Sequence, residues 1–241
     1  MKEKNDHYLI NLGKFICALL VVLLHTISNE DKVGYILSVT ARIAVPFFFI
    51  CSGYFLCDKF YESNIKKRKE YVYKYIGKTF KIYLLSSVLY MVFDYKFYFG
   101  GSNKIKGALI CIRDFIFIST HYHLWYLISL CFTVYILYLL TKRFKFKSIL
   151  IISIVIYAFA LSGDIYYGII KDTIFGRLMD IYVYVFGPIG NSFAVGLIFM
   201  VIGIGIKKYK ILYKKNSLLK YLIISYSLFI IENYILKYFN I

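Results

Sequence analysis

The stretch from Asn11 to Ser28, NLGKFICALLVVLLHTIS, places two ionisable residues, Lys14 and His25, in an otherwise apolar segment. With the apolar residues 8–10 before it, an α-helix of this length, rising about 1.5 Å per residue, crosses a hydrocarbon layer of about 30 Å. Lys14 and His25 are eleven residues apart, which at about 100° per residue returns them to nearly the same face. The stretch therefore predicts a membrane-crossing helix with one polar stripe.

Ionisable side chains at such a depth are costly, and they usually face the interior of a helix bundle or a water-filled cavity. The default hypothesis is that the stripe with Lys14 and His25 is functional. In the alternative interpretation, Lys14 extends its ammonium group to the membrane surface and His25 only caps the outer end of the helix.

The composition indicates an integral membrane protein, because 60% of the residues are hydrophobic and 20% are aromatic. We expect a multi-pass protein of the cell membrane, with the lipid bilayer as its main partner. The net charge of +17 comes from short basic runs between apolar segments, which is typical of orientation signals, so we expect no nucleic-acid partner. The five cysteines show no C-x-x-C spacing, and they predict neither a metal site nor a disulfide framework.

The apolar runs predict an all-α fold, a polytopic transmembrane helical bundle. Basic runs precede the first of its predicted spans and follow the second, fourth and sixth. Because basic loops stay in the cytoplasm, we expect a cytoplasmic amino terminus and an external carboxyl terminus. The basic segment 58–81 is then cytoplasmic, where it contacts anionic headgroups or holds an anionic cosubstrate. The predicted spans, about seven, are residues 8–28, 36–57, 80–99, 123–141, 148–163, 192–206 and 220–239.

Further polar residues lie at the expected outer half of this bundle. Arg42 opens the second span at about the depth of His25, either in the site or as an interfacial anchor for headgroups. His121 and His123 stand beside Trp125 at the start of the fourth span, where an aromatic belt explains the tryptophan but not the histidines. The segments 100–122 and 164–191 are expected to be external, the first as a re-entrant or interfacial helix and the second as a lid or an interfacial helix. Glu232 lies midway in the seventh span, where a carboxylate generally pairs or faces a cavity.

From about residue 8 onward, the chain resembles the membrane-embedded acyltransferase 3 family, especially the membrane domain of the serine racemases linked to vancomycin resistance. The domain prediction is a single acyltransferase 3-like membrane domain over residues 1–241. The matching residues are Lys14 and His25, with ten others between them, RIAVPFFFICSGYFL from Arg42 to Leu56, HLWYL from His123 to Leu127, GNSFAVGLIFMVIG from Gly190 to Gly203, and Glu232.

The resemblance implies transfer of an acyl group, commonly acetyl from cytosolic acetyl-CoA, to a hydroxyl or amine of a cell-surface sugar or similar acceptor. His25 would be the base or the acyl-carrying nucleophile. Lys14 and Arg42 would neutralise cofactor phosphates or a developing oxyanion. The residues implied for substrate binding are His123, Trp125, Asn191 and Glu232.

Two departures from the family pattern leave other hypotheses open. Gly190 stands where the pattern usually has arginine, and the chain has fewer predicted spans than family members commonly have. We therefore expect either a shortened homologue or part of a longer protein, and an inactive fragment is one alternative. Another is a non-catalytic membrane domain that binds or transports a small solute such as an amino acid, the role suggested for the membrane part of racemase-like relatives.

Overall fold

The computed structural model describes residues 2–26, 32–101 and 103–210. Within these ranges every regular element is helical, which confirms the all-α prediction. A π-helical turn, Asp114–Ile118, and two 3-10 turns, Tyr122–Leu124 and Ile189–Asn191, connect longer helices. The α-helices are α1 Lys2–Thr26, α2 Lys32–Ala41, α3 Ala44–Phe60, α4 Ile65–Phe99, α5 Lys104–Arg113, α6 Trp125–Arg143, α7 Phe146–Ser162, α8 Tyr167–Ile170, α9 Ile174–Phe186 and α10 Phe193–Lys208.

Three helical segments in the described ranges are long and apolar enough to cross a membrane. They are Tyr8–Thr26 in α1, Ile65–Phe99 in α4 and Trp125–Arg143 in α6, and Phe146–Ser162 is a shorter apolar helix. These segments support the multi-pass prediction. The count of about seven spans and the orientation of the amino terminus stay predictions, and the span expected at 220–239 lies outside the described residues.

The span expected at 36–57 is divided into α2 and α3 by a turn at Arg42 and Ile43. The cause is Pro46, which lacks the N–H that would bond to the carbonyl of Arg42 in a continuous helix. The Ile43 N–H bonds instead to the Thr40 carbonyl at 3.3 Å, and the Phe47 N–H bonds to the Ile43 carbonyl at 3.1 Å. A new helix, α3, therefore begins at Ala44, two residues before the proline.

The helix expected at 80–99 begins earlier, at Ile65, so most of the basic segment 58–81 is the first half of α4. Asn64 caps this helix by accepting a hydrogen bond from the Lys67 N–H at 3.1 Å. Lysine, arginine and glutamate are good helix formers. Hydropathy therefore underestimates how far the helix extends beyond the apolar part of the chain.

The main apolar core lies between α3, α4, α6, α7 and α10. Phe49, Phe60, Val72, Leu137 and Met200 are fully buried there. Small residues bring α3 and α10 close together, since a Cβ atom on Gly53 would lie 2.8 Å from the carbonyl carbon of Met200. This close approach holds α3 against α10, and α1 packs against another side of α3.

Candidate functional site

Lys14 faces the protein rather than lipid. Its ammonium nitrogen lies 4.3 Å from the centre of the Phe55 ring on α3, a distance at which the cation is attracted to the face of the ring. Gly13 lets α1 approach closely, because a Cβ atom there would lie 2.7 Å from Cζ of Phe47. The opposite side of α1, with Ile16 and Leu19, is largely exposed. Lys14 therefore lies on the side of α1 that packs against α3.

His25, in the last turn of α1, contacts His123 from the 3-10 turn before α6. Their ring centroids are 4.0 Å apart, and the planes meet at 78°. The His25 side chain is exposed overall, whereas His123 is half-buried. Two residues that the sequence implicated separately, one for acid–base chemistry and one for substrate binding, thus lie in direct contact.

A third histidine, His121, completes a group with His25 and His123 that we call the histidine cluster. The rings of His121 and His123 are 5.2 Å apart and inclined by 27°. Tyr90 from α4 stacks on His121 at 4.2 Å with an angle of 8°. Nδ1 of His121 lies 2.7 Å from Oδ2 of Asp94, also on α4. The cluster therefore joins three parts of the chain and ends at a carboxylate.

Sequence reasoning noted His121 but gave it no role, and it assigned none to Asp94. The available signal was a carboxylate inside an apolar run, which usually pairs or faces a cavity. Asp94 is 27 residues before its partner, and no helical or strand period relates two positions so far apart. The pairing depends on how the segment after α5 folds back onto α4.

Backbone features place that segment. It starts with the π-helical turn Asp114–Ile118, a type of element that is frequent at functional sites. Ser119 then takes φ 115° and ψ 149°, a conformation that costs a residue other than glycine about 1–3 kcal/mol. The Ser119 hydroxyl donates to the His121 carbonyl at 2.7 Å. The strained residue is thereby tied directly to the cluster.

Buried Asp114 anchors the start of the same segment. Its carboxylate accepts hydrogen bonds from Nη2 of Arg113 at 2.6 Å and from the Tyr98 hydroxyl at 3.1 Å. Tyr83 of α4 donates to the Phe115 carbonyl at 2.7 Å. Because Tyr83 and Tyr98 both belong to α4, the π-helical turn is fixed against the helix that also carries Asp94.

The remaining predicted site residues lie in different places. The exposed Arg42 side chain is at the turn between α2 and α3, and half-buried Trp125 begins α6. Asn191 ends a 3-10 turn and lines a cavity of about 100 Å³ with Ser129 and Tyr182. Burial raises the pKa of Tyr182, so its phenol stays protonated and able to donate. Glu232 lies outside the described residues.

Asp164 leaves no room for a side chain at Gly190, the position where the family pattern usually has arginine. A Cβ atom at Gly190 would lie 2.9 Å from the carboxyl carbon of Asp164 and closer still to one of its oxygens. Any larger side chain requires Asp164 to move. The local packing is therefore built for glycine at this position.

A family model described as an acyltransferase domain matches residues 7–240. The chain belongs to the acyltransferase 3 family. This membership supports an acyltransferase-type role in a membrane.

The curated relatives have a different name from the family. Two amino-acid racemases of Enterococcus faecalis are 35% identical over 175 residues and 31% identical over 182 residues, covering 70% and 73% of this chain. A serine/alanine racemase of Enterococcus gallinarum is 27% identical over 174 residues, 72% of the chain. The matched parts are 24%, 25% and 24% of these relatives, so the chain spans about a quarter of their length. No solved structure matches the chain.

Proposed function

We propose that this domain transfers an acyl group, with acetyl as the first candidate, from cytosolic acyl-CoA to a hydroxyl or amine of a cell-surface acceptor. The observation that carries the proposal is the contact between His25 and His123, with ring centroids 4.0 Å apart, in a member of the acyltransferase 3 family. The two histidines come from separate elements, so their contact is a product of the fold.

His25 acts as the base or the acyl-carrying nucleophile, because an imidazole exchanges protons near neutral pH. Its exposed side chain leaves room for an acyl donor to reach the ring. Lys14 supplies fixed positive charge from the same helix, for the cofactor phosphates or for the oxyanion that develops during transfer. Arg42 is proposed for the same task from the turn before α3.

The acceptor is proposed to bind on the side of His123. Trp125 follows His123 by two residues and offers an aromatic surface of the kind that packs against sugar rings. Asn191, beside its cavity, and Glu232 are proposed as further acceptor contacts. The acyl donor, acetyl-CoA, is a cosubstrate in this scheme, and no metal is required.

Substitution of His25 tests the proposal for a hydroxyl acceptor, because mild alkali releases acetate from esters and leaves amides intact. Cells that produce the protein, the His25→Ala variant or no protein are treated with mild alkali, and the acetate released from their surface is measured. We expect His25→Ala to reduce surface acetylation to the background, because loss of a general base typically costs about 10²- to 10⁴-fold in rate.

The matched control is Thr26→Ala, one residue further along α1. The Thr26 hydroxyl bonds only to backbone carbonyls of its own helix in the described structure, so this variant should acetylate like the wild type. Equal amounts of inserted protein are confirmed by size-exclusion chromatography in detergent. Wild-type acetate release by a well-folded His25→Ala protein would contradict the proposal.

A second candidate function is binding or transport of a small amino acid, and the observation that favours it is the name of the relatives, amino-acid and serine/alanine racemases. Uptake of radiolabelled L-serine by vesicles containing the purified protein tests it. Uptake that is the same in wild type and His25→Ala, together with no acetyl transfer by either, would favour this candidate.

A further inference from the structure

We propose that Tyr90 and Asp94 of α4 are positioning residues, which hold the ring of His121 in place and through it keep His123 in contact with His25. The inference rests on the proposed function, because it concerns the contact that the proposed chemistry uses. It assigns a role to two residues that lie outside the stretches matched to the family pattern.

Asp94 controls how the ring of His121 is turned. Its Oδ2 atom lies 2.7 Å from Nδ1 of His121, a distance in the range of the short hydrogen bonds that carboxylates accept. The torsion about the Cβ–Cγ bond of a histidine has only a broad preference of its own, and this hydrogen bond selects one orientation. The side chains of His121 and Asp94 are 19% and 23% exposed, so little water competes for the bond.

Tyr90 fixes the plane of the same ring. The centroid of its ring lies 4.2 Å from that of His121, with an angle of only 8° between the planes. A single hydrogen bond leaves a ring free to tilt about the line of that bond, whereas a parallel neighbour in contact prevents the tilt. Tyr90 and Asp94 are four residues apart in α4, so they lie on one face of the helix, one turn apart. This face therefore holds His121 by both its edge and its flat side.

His123 packs against the two rings that are held in this way. Its centroid lies 5.2 Å from that of His121 and 6.4 Å from that of Tyr90, with interplanar angles of 27° and 31°. The ring of His25 meets it at 78°, with 4.0 Å between the centroids. Loss of the Tyr90 ring, or a turn of the His121 ring, opens space beside His123 into which its own ring can turn. The contact with His25 then loses its support from α4.

The backbone that carries His121 and His123 does not by itself determine how their rings are oriented. His123 belongs to a 3-10 turn of three residues, and such turns have poor hydrogen-bond geometry. The carbonyl of His121 accepts from the Ser119 hydroxyl at 2.7 Å and from the Leu124 N–H at 2.9 Å, which ties the backbone but not the rings. In contrast, α4 is a continuous helix of 35 residues. Contacts with α4 therefore supply the orientation that the turn lacks.

A positioning role makes a specific demand on each side chain. At position 94 it requires a group that hydrogen-bonds to the ring of His121, and a negative charge is not needed. At position 90 it requires a flat ring, and the hydroxyl is not needed. Neither residue gives or takes a proton during the transfer. Conservative variants can therefore separate positioning from chemistry.

The experiment uses right-side-out membrane vesicles that contain the full chain and carry the native acceptor of the host envelope. The vesicles are loaded with acetyl-CoA at several concentrations, and free coenzyme A is measured after lysis, which gives kcat and the KM for the donor. We expect Asp94→Ala and Tyr90→Leu to lower kcat about 10- to 100-fold, because a misplacement of about 1 Å can cost about 100-fold. The KM for acetyl-CoA should stay unchanged, since Lys14 and Arg42, which are proposed to bind the donor, are untouched.

Asp94→Asn and Tyr90→Phe are the matched conservative variants. The asparagine amide both accepts and donates, so it hydrogen-bonds to Nδ1 of His121 in either tautomer, and phenylalanine keeps the stacked ring. We expect both variants to work at close to the wild-type rate. The control for the loss of a carboxylate elsewhere is Asp180→Ala, which removes an acceptor of the Tyr167 hydroxyl. It should keep the wild-type kcat.

Several outcomes would overturn the inference or its basis. A wild-type kcat in either Asp94→Ala or Tyr90→Leu, alongside an inactive His25→Ala, would overturn the inference alone. A conservative variant as slow as its alanine or leucine counterpart would show that the charge or the hydroxyl is required, and the positioning role would be wrong. A changed KM with an unchanged kcat would lead to the same conclusion. Full activity in His25→Ala, or none in the wild type, would instead overturn the proposed function.

Thermal unfolding of each purified variant in detergent establishes that it is folded. If Asp94→Ala does not fold, the comparison of Tyr90→Leu with Tyr90→Phe is the deciding one, because it leaves the hydrogen bond between Asp94 and His121 in place. Equal kcat values for these two variants would then overturn the inference.

Discussion

Gly53→Ala should destabilise the protein, because Gly53 lies where α3 and α10 come closest. The added Cβ atom would lie 2.8 Å from the carbonyl carbon of Met200 and closer still to the oxygen, whereas ordinary contacts begin at 3.4 Å. The obstacle is backbone, which has no rotamer to change. The two helices must therefore separate by more than about 0.6 Å, which loosens the packing along their whole contact.

The size of the effect follows from two opposing terms. Overpacking of a tight interface costs typically about 1–3 kcal/mol. Replacing glycine by alanine inside a helix stabilises the folded state by about 0.5–1 kcal/mol. We expect a net loss of about 1–2 kcal/mol in the free energy of unfolding, and a fall of about 2–8 °C in the midpoint of thermal unfolding.

The fluorescence of Trp125, the single tryptophan, reports thermal unfolding in detergent. The matched control is Gly77→Ala in α4, where an added Cβ atom meets nothing within 4 Å, and this variant should be as stable as the wild type or slightly more. Gly203 makes the reciprocal approach, because a Cβ atom added there would lie 2.9 Å from the carbonyl carbon of Ile50. Because one separation relieves both clashes, the double variant should lose less than the sum of the single losses. Equal midpoints for Gly53→Ala and Gly77→Ala would refute this account of the interface.

Two further predictions concern the strained segment and the topology. Ser119→Gly should unfold at a higher temperature than Ser119→Ala, by the equivalent of about 1 kcal/mol in the free energy of unfolding. Both variants lose the hydroxyl bond to the His121 carbonyl, but only glycine relieves the backbone strain at φ 115°. A more stable alanine variant would show that the strain is absent. With the five native cysteines replaced by serine, a membrane-impermeant maleimide applied to sealed cells should label Asp172→Cys and not Ser63→Cys, since residues 164–191 are expected outside and 58–81 inside. The reverse result would contradict the predicted orientation.

The sequence predicted the local features of the site and missed those that depend on tertiary structure. The helical period put Lys14 and His25 on one face, and in the structure that face contacts Phe55 and His123. No such period could bring His121 to Asp94, because the strained turn after α5 decides their meeting. A single carboxylate in an apolar run indicates that a partner exists but does not identify it.

Helix boundaries show the same limit. The second span was expected to be continuous from 36 to 57, and Pro46 breaks it completely at Arg42 and Ile43. Hydropathy placed the start of the third helix at residue 80, whereas α4 begins at Ile65. Hydropathy measures affinity for lipid, while a helix continues wherever the backbone bonds and side-chain propensities allow it.

The length of α4 determines how far its basic first turns lie from the hydrocarbon layer. Its 35 residues extend about 52 Å at 1.5 Å per residue, and a hydrocarbon layer occupies only about 30 Å of that. If α4 stands upright with its apolar end in the hydrocarbon, its first turns, with Lys66, Lys67 and Arg68, lie roughly 20 Å from the hydrocarbon boundary. At physiological ionic strength, charges that far away are screened from the membrane surface, since the Debye length is about 8 Å. For an upright α4 we therefore expect these cations to act mainly on dissolved anions rather than on headgroups.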